Sequence, residues 1–338
     1  MTAVFLPQPR GPLSGALFPL LLGPPADLPP AAHDLAAPDR RSAHLDDDLQ
    51  ISLFTCYALH YRGFADVDPA WEWHPPLLAV RAMLEQRFER CLRGCVEPPA
   101  EIAPDQLPKY LLDLGAPRSG PSLAQHMWQS ASLDHFREFA IHRSLYNLME
   151  ADPHTWAIPR LPGRAKCALV EIQADEYGNG IPGRLHSELF AKMMAALGLD
   201  NCYGRYVEQI PATSLALVNA VSMFGLHGRL RGALVGNLAM SEIGSSHGNR
   251  CFSKGLERLA AGGAARLFFD EHVEADAVHE QIAAYDLCGS FVADCPDELP
   301  DVLFGAMASR ELKRCSNTVM VDCWAQGRSS LRQDPGLR

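Results

Sequence analysis

Apolar residues along this chain recur at spacings of three and four, in stretches separated by Pro- and Gly-rich breaks. That periodicity predicts helices over about 47–62, 77–96, 105–114, 121–129, 132–150, 163–177, 184–198, 222–244, 263–287 and 297–324. Pro75, Pro76, Pro98, Pro99, Pro117 and Pro153 punctuate them, since proline lacks the amide a helix interior needs. Strand-like alternation is nearly absent and no internal repeat is found, so the expected fold class is all-α. Residues 1–44 differ in kind. They hold Pro7, Pro9, Pro12, Pro19, Pro24, Pro25, Pro29, Pro30 and Pro38, which suggests an extended or mobile arm. Asp46, Asp47 and Asp48 then fall where a helix begins, at the end whose dipole favours carboxylates.

The same periodicity places polar groups where only apolar ones are expected. In FFDEHVEADAVHEQI, His272, Asp276 and His279 occupy helical positions 0, 4 and 7, which lie within roughly 60° of one another on a helix. Phe268, Ala275 and Ala283 share that stripe, so it faces inward. His186 shares a face with Phe190, Met193 and Leu197, and Glu242 lies one turn from Leu238 and two from Val235. Glu176 falls below Ile172 and Leu169, whereas Glu171 is turned roughly 140° away. Buried charge is costly unless paired or bound to a metal. A lone histidine in a core is ordinarily just hydrogen-bonded there, but three ligand-type side chains on one stripe point to a metal centre. Imidazoles and carboxylates without matching thiolates suit iron or manganese.

These segments carry a resemblance. EIQADEYGNGIPGRLHSELF, the Glu in AMSEIGSS, the closing HVEADAVH and the N-terminal phrase LFTCYALHYRGF are similar to the haem-oxygenase-like di-iron oxidases, the iron-containing redox enzyme family, over roughly Leu45 to Trp324. The resemblance implies a haem-oxygenase-like bundle of about seven core helices whose pocket binds no haem. It implies that Glu176, His186, Glu242, His272, Asp276 and His279 hold two Fe(2+) per chain, with O2 as co-substrate. Whether Glu171, Asp175 or Glu138 adds a further carboxylate stays open, and His142, four residues from Glu138, is better explained by a structural hydrogen bond. The ferritin-like carboxylate proteins repeat Glu-x-x-His on two helices, a pattern absent here. The expected organisation is a Pro-rich arm at 1–44, an N-terminal helical extension at 45–130, a di-iron core at 131–325 and a C-terminal tail at 326–338.

Composition narrows the function. The 338 residues, 47% hydrophobic and 21% charged, carry a net charge of -10, which argues against a nucleic-acid surface. No run of eighteen apolar residues suggests a membrane span, and the expected location is cytoplasmic. The ten cysteines form no C-x2-C framework. Cys91 and Cys95, one helical turn apart, would suit a soft metal, but buried reduced thiols are the reading preferred for all ten. Arg231 and Arg143 can each hold a substrate carboxylate through the planar guanidinium, or serve as structural ion pairs, and Arg231, about three turns before Glu242 and close to the same face, is the preferred anchor. The resemblance implies oxidation of a small metabolite, an amino acid, an amine, a fatty acid or a carrier-bound derivative, with an external electron donor; a homodimer is compatible with it. N-oxygenation in specialised metabolism is the first choice, and desaturation, cyclisation or C–C cleavage at the same centre the alternative. Outside that class stand a metal-binding or interaction protein without catalysis, and a cofactor-free oxygenase using histidine acid and base groups.

Overall fold

The computed structural model describes residues 4–28, 42–97, 102–116 and 122–332. Its helices are α1 (Pro12–Leu21), α2 (Asp47–Ala58), α3 (Pro75–Cys95), α4 (Leu107–Gly115), α5 (Leu123–Gln129), α6 (Leu133–Asn147) and α7 (Gly163–Glu176). They continue with α8 (His186–Ala196), α9 (Ala212–Leu226), α10 (Arg231–Glu242), α11 (Ser245–Arg258), α12 (Gly263–Gln281), α13 (Ser290–Asp294) and α14 (Leu299–Ala325). A π-helical turn, Ile282–Gly289, joins α12 to α13. No strand occurs among the described residues, and the fold is an all-α bundle.

Three departures from the periodicity have physical causes. Within the expected arm, α1 is a packed helix with Leu17, Phe18 and Leu21 buried, while Pro29, Pro30 and Pro38 lie outside the described residues. The stretch expected at 222–244 is two helices, α9 and α10, broken at His227–Leu230. Helix α11 was not expected, because its Gly248, Gly255, Ser245 and Ser246 favour turns while only a narrow stripe of Cys251, Phe252 and Leu256 faces the core. Pro98, Pro99 and Pro117, and the tail beyond 332, also fall outside the described residues.

The acidic run at 46–48 organises the N-terminal third. A helix start leaves amides without intrahelical partners, and each aspartate serves a different one. Asp46 accepts from the amides of Asp48 and Leu49 at 3.1 and 3.2 Å and caps α2. Asp47 accepts from Ala212 at the head of α9 at 2.8 Å, and Asp48 from Leu13 and Ser14 at the head of α1, both at 2.8 Å. One core cluster consequently extends from Leu13 to Leu312, across the division expected near residue 130. A second, aromatic cluster gathers Phe139, Phe190, Phe268 and Phe269 from α6, α8 and α12.

Helices α10 and α14 cross at backbone contact. A Cβ on Gly236 would lie 1.9 Å from the carbonyl oxygen of Val302, and one on Gly305 1.9 Å from that of Ala233. Glycine at both positions sets this crossing, and Lys313 of α14 reinforces it by donating to the Met240 carbonyl at 2.6 Å. Because α10 ends in Glu242, the crossing also sets where that carboxylate lies.

Candidate metal centre

The centre lies at the seam between the two core clusters, where the ends of α6, α7 and α10 meet α8 and α12. Glu176 is the last residue of α7 and His186 the first of α8. The nine residues between them must reverse the chain tightly. Gly178, at φ +62°, permits this, because a Cβ there would lie 2.6 Å from the backbone of Arg184. The turn brings Glu176 Oε2 to 2.9 Å from His186 Nδ1 with both side chains buried. The two atoms face each other as an ion pair, and neither has a further partner among the described residues.

On α12, His272, Asp276 and His279 are buried at 6%, 2% and 0% exposure, as their shared stripe requires. His272 Nδ1 lies 2.8 Å from the Phe268 carbonyl, which can only accept, so Nδ1 carries the proton and the Nε2 lone pair is directed elsewhere. That Nε2 is 3.8 Å from Glu150 Oε2. His279 has a carboxylate at each ring nitrogen, Glu242 Oε2 at 3.3 Å from Nδ1 and Asp175 Oδ2 at 3.0 Å from Nε2. Asp276 accepts from Asn249 of α11 at 3.1 Å.

Ligand-type atoms converge in two groups with a common member. Glu150, Glu176, His186 and His272 form one, and Glu176, Glu242 and His279 the other, with the donor atoms of each within 4.8 Å of one another. Glu176 belongs to both. Asp276 is on the same stripe and lines the same cavity but falls in neither group. Glu150 is a member that sequence reasoning missed. It follows α6 in a turn, where Asn147 donates to its Oε1 at 2.7 Å and leaves Oε2 buried without a partner. Nothing in the sequence singles it out, because it stands at the last position of the helix expected over 132–150, which the fold ends at Asn147.

The electrostatics suit a bound cation. Burial, then Glu176, Glu242 and Asp276, raise the Glu150 carboxyl well above its ordinary value. Burial and Glu242 raise Asp276 to about 8. Burial opposes a charge on His279, but the Glu242 hydrogen bond prevails and raises it to about 9. Burial, reinforced by His186, lowers His272 to about 4 and keeps it neutral. Crowded carboxylates, orphaned buried oxygens and imidazole lone pairs form a donor set that hard-to-intermediate divalent cations complete.

The other sequence candidates are dispersed. Glu171 is exposed. Glu138 faces away, accepting from Trp324 Nε1 at 2.7 Å and the Ser330 amide at 2.8 Å, and His142 is hydrogen-bonded to Ser214 and Ser330. Asp175 is half-exposed behind His279. Arg231 does not reach the cavity, because its Nε donates to Glu298 Oε1 at 2.7 Å and its Nη1 to the Arg160 carbonyl. Arg143 does. It lines a cavity of about 530 Å³ together with Glu150, Glu176, Glu242, His272 and Asp276. Its hydrogen bond to Asn317 Oδ1 is long, 3.4 Å, and among the described residues it has no ion-pair partner.

An all-α bundle with a buried, partly shared imidazole and carboxylate cluster opening on a cavity is the arrangement that a metal centre of the iron or manganese type needs. Comparison with known families narrows this. Residues 137–314 match the profile of the iron-containing redox enzyme family, just over half of the chain, and the chain belongs to that family. It is also similar to nitrosourea synthase from Streptomyces achromogenes subsp. streptozoticus, 26% identical over 166 residues. That alignment covers 49% of this chain and 35% of the relative, so the chain matches about a third of that protein's length. No helix among the described residues is long and apolar enough to cross a membrane.

Proposed function

We propose that this chain is a non-haem di-iron enzyme that uses O2 to N-oxygenate a small amine or amino-acid-derived metabolite. The observation that carries the reading is the pair of ligand groups joined at Glu176 beside a cavity of about 530 Å³, a size suited to a small metabolite. In this reading Glu150, Glu176, His186 and His272 hold one iron. Glu176, Glu242 and His279 hold the other, with Asp276 completing the set. Two ferrous ions bound there would supply the redox chemistry that activates O2. N-oxygenation consumes one O2, places one oxygen atom on nitrogen and releases the other as water. Two electrons and two protons from an external donor balance it. The name of the related nitrosourea synthase, which denotes a product with a nitroso group on nitrogen, favours nitrogen as the oxidised atom.

The chain's own residues do the positioning. His272 is held in one tautomer by the Phe268 carbonyl, which keeps Nε2 available. The apolar walls from Phe139, Phe252, Phe268 and Leu238 exclude water from one side of the cavity. Arg143, buried and without a salt bridge among the described residues, anchors a substrate carboxylate bidentately and turns the amine toward Glu150 and His272.

The test is incubation of ferrous-loaded protein with a panel of amines and amino acids under isotopically labelled O2, followed by mass spectrometry. One labelled oxygen retained on nitrogen is the expected result. Loss of two hydrogens, or chain cleavage, without that label would replace N-oxygenation by the C–H or C–C alternative. Arg143→Leu should raise KM for a carboxylate-bearing substrate at least tenfold while the iron content stays at the wild-type level. An unchanged KM would remove the anchor.

A further inference from the structure

A second group of metal-ligand side chains lies outside the cavity and has different chemistry. Cys91 and Cys95 are four residues apart in the last turns of α3, so their thiols share one face. His44 sits in the short 3-10 turn Ala43–Leu45 that precedes α2. Its Nδ1 is 3.3 Å from Cys91 Sγ and 4.0 Å from Cys95 Sγ, and all three donor atoms lie within 4.8 Å of one another. A tetrahedral zinc site with bonds of about 2.3 Å to sulfur and 2.0 Å to nitrogen places those atoms roughly 3.6 Å apart. The two observed distances bracket that value.

A fourth ligand would have to come from outside that group of three. Cys315, on α14, is half-buried, and its thiol donates to Glu311 Oε1 at 3.4 Å. It stands near enough to Cys91 and Cys95 for their charges to act on one another. Glu311 is itself held by Arg314 at 2.6 and 2.7 Å. Burial opposes ionisation of Cys91, but hydrogen bonds from His44 and Ala43 outweigh it and leave that thiol at about 7.

We propose that His44, Cys91, Cys95 and Cys315 bind one soft divalent cation of the zinc class, at a structural site separate from the iron centre. Thiolate and imidazole donors select zinc-type ions, whereas the iron centre has no thiolate. The ligands come from the segment before α2, from the end of α3 and from α14. A metal there clamps the N-terminal helices to the long helix that crosses α10 at Gly236. Four protein ligands leave no open position, so the site is closed and performs no turnover.

The test uses the full chain purified anaerobically, with elemental analysis and cobalt substitution as readouts. Wild-type protein should retain one zinc per chain after dialysis against a weak chelator. Once stripped of zinc, it should take up one Co2+ with the strong visible bands of tetrahedral cobalt and a thiolate-to-cobalt charge-transfer band. Glu176→Ala should keep those bands, which separates this site from the iron centre. Cys95→Ser, at an exposed position that perturbs packing little, should lose the charge-transfer intensity and weaken zinc binding at least tenfold without lowering iron content. Cys315→Ser should weaken zinc at least tenfold as well. Zinc retention equal in wild type and Cys95→Ser, a cobalt spectrum without thiolate bands, or two thiols lost to a disulfide on non-reducing mass analysis would overturn the proposal. An unchanged affinity in Cys315→Ser would overturn its fourth ligand.

Discussion

Gly236→Ala tests whether the crossing of α10 and α14 positions the metal centre. The added Cβ would lie 1.9 Å from the Val302 carbonyl oxygen and 2.9 Å from the Ala306 nitrogen, both of them backbone. Ordinary carbon contacts begin near 3.4 Å, so the helices must part by about 1.5 Å. Overpacking of this kind costs about 1–3 kcal/mol, and a rigid backbone neighbour puts the cost at the upper end. For a chain of this size that lowers the melting temperature by on the order of 5 °C. Glu242 lies six residues further along α10, about 9 Å away at helical rise, and travels with the helix. Metal–ligand distances tolerate only about ±0.2 Å, so such a displacement is several times too large for the Glu242 group. Gly236→Ala should therefore lose the iron bound through Glu242 while retaining that held by Glu150, His186 and His272. Gly15→Ala, exposed on α1 with nothing within 4 Å of the new Cβ, is the control and should be neutral or slightly stabilising. Thermal unfolding with elemental analysis reads both. A Gly236→Ala protein with wild-type melting and full iron would refute the reasoning.

Glu150→Ala should lower iron by about half, because only one of the two groups includes that carboxylate; full iron in a folded variant would exclude Glu150 as a ligand. Iron binding should release protons. Asp276, raised to about 8, and His279, raised to about 9, both hold protons at neutral pH in the metal-free protein, and metal ligation requires their lone pairs. Raised values mean that the protons are bound below those pH values, so iron affinity should climb as pH rises from 7 toward 9 and then level off. Dye-monitored titration in weak buffer checks this, and binding without proton release would contradict it.

Much of the centre was legible because burial and helical geometry act on residues close in sequence. His272, Asp276 and His279 declare themselves by sharing a stripe with Phe268, and the choice of Glu176 over Glu171 follows from the same arithmetic, with Glu171 exposed and Glu176 buried. Glu150 was not legible. It lies past the end of α6, where periodicity stops, and joins the group through tertiary packing and its Asn147 bond. Sequence favours Arg231 as the anchor because it shares the Glu242 face, but a partner 67 residues away, Glu298, engages Arg231 and leaves Arg143 to the cavity. Helix α11 escaped notice because its glycines and serines favour turns in isolation, whereas in the bundle its narrow apolar stripe packs inward and Asn249 supports Asp276. The acidic run at 46–48 marks one helix start in the sequence, but its aspartates serve three helices that only the folded chain brings together.

Glu176 is the one carboxylate common to both groups of ligand-type side chains, so its removal should disrupt two metal positions at once. Anaerobic ferrous titration of wild type and Glu176→Ala, read by elemental analysis and Mössbauer spectroscopy, addresses it directly. Wild type should bind two ferrous ions in distinct environments, and Glu176→Ala, still helical by circular dichroism, should lose both. A Glu176→Ala protein that keeps two irons, or a wild type that saturates at one, would contradict it.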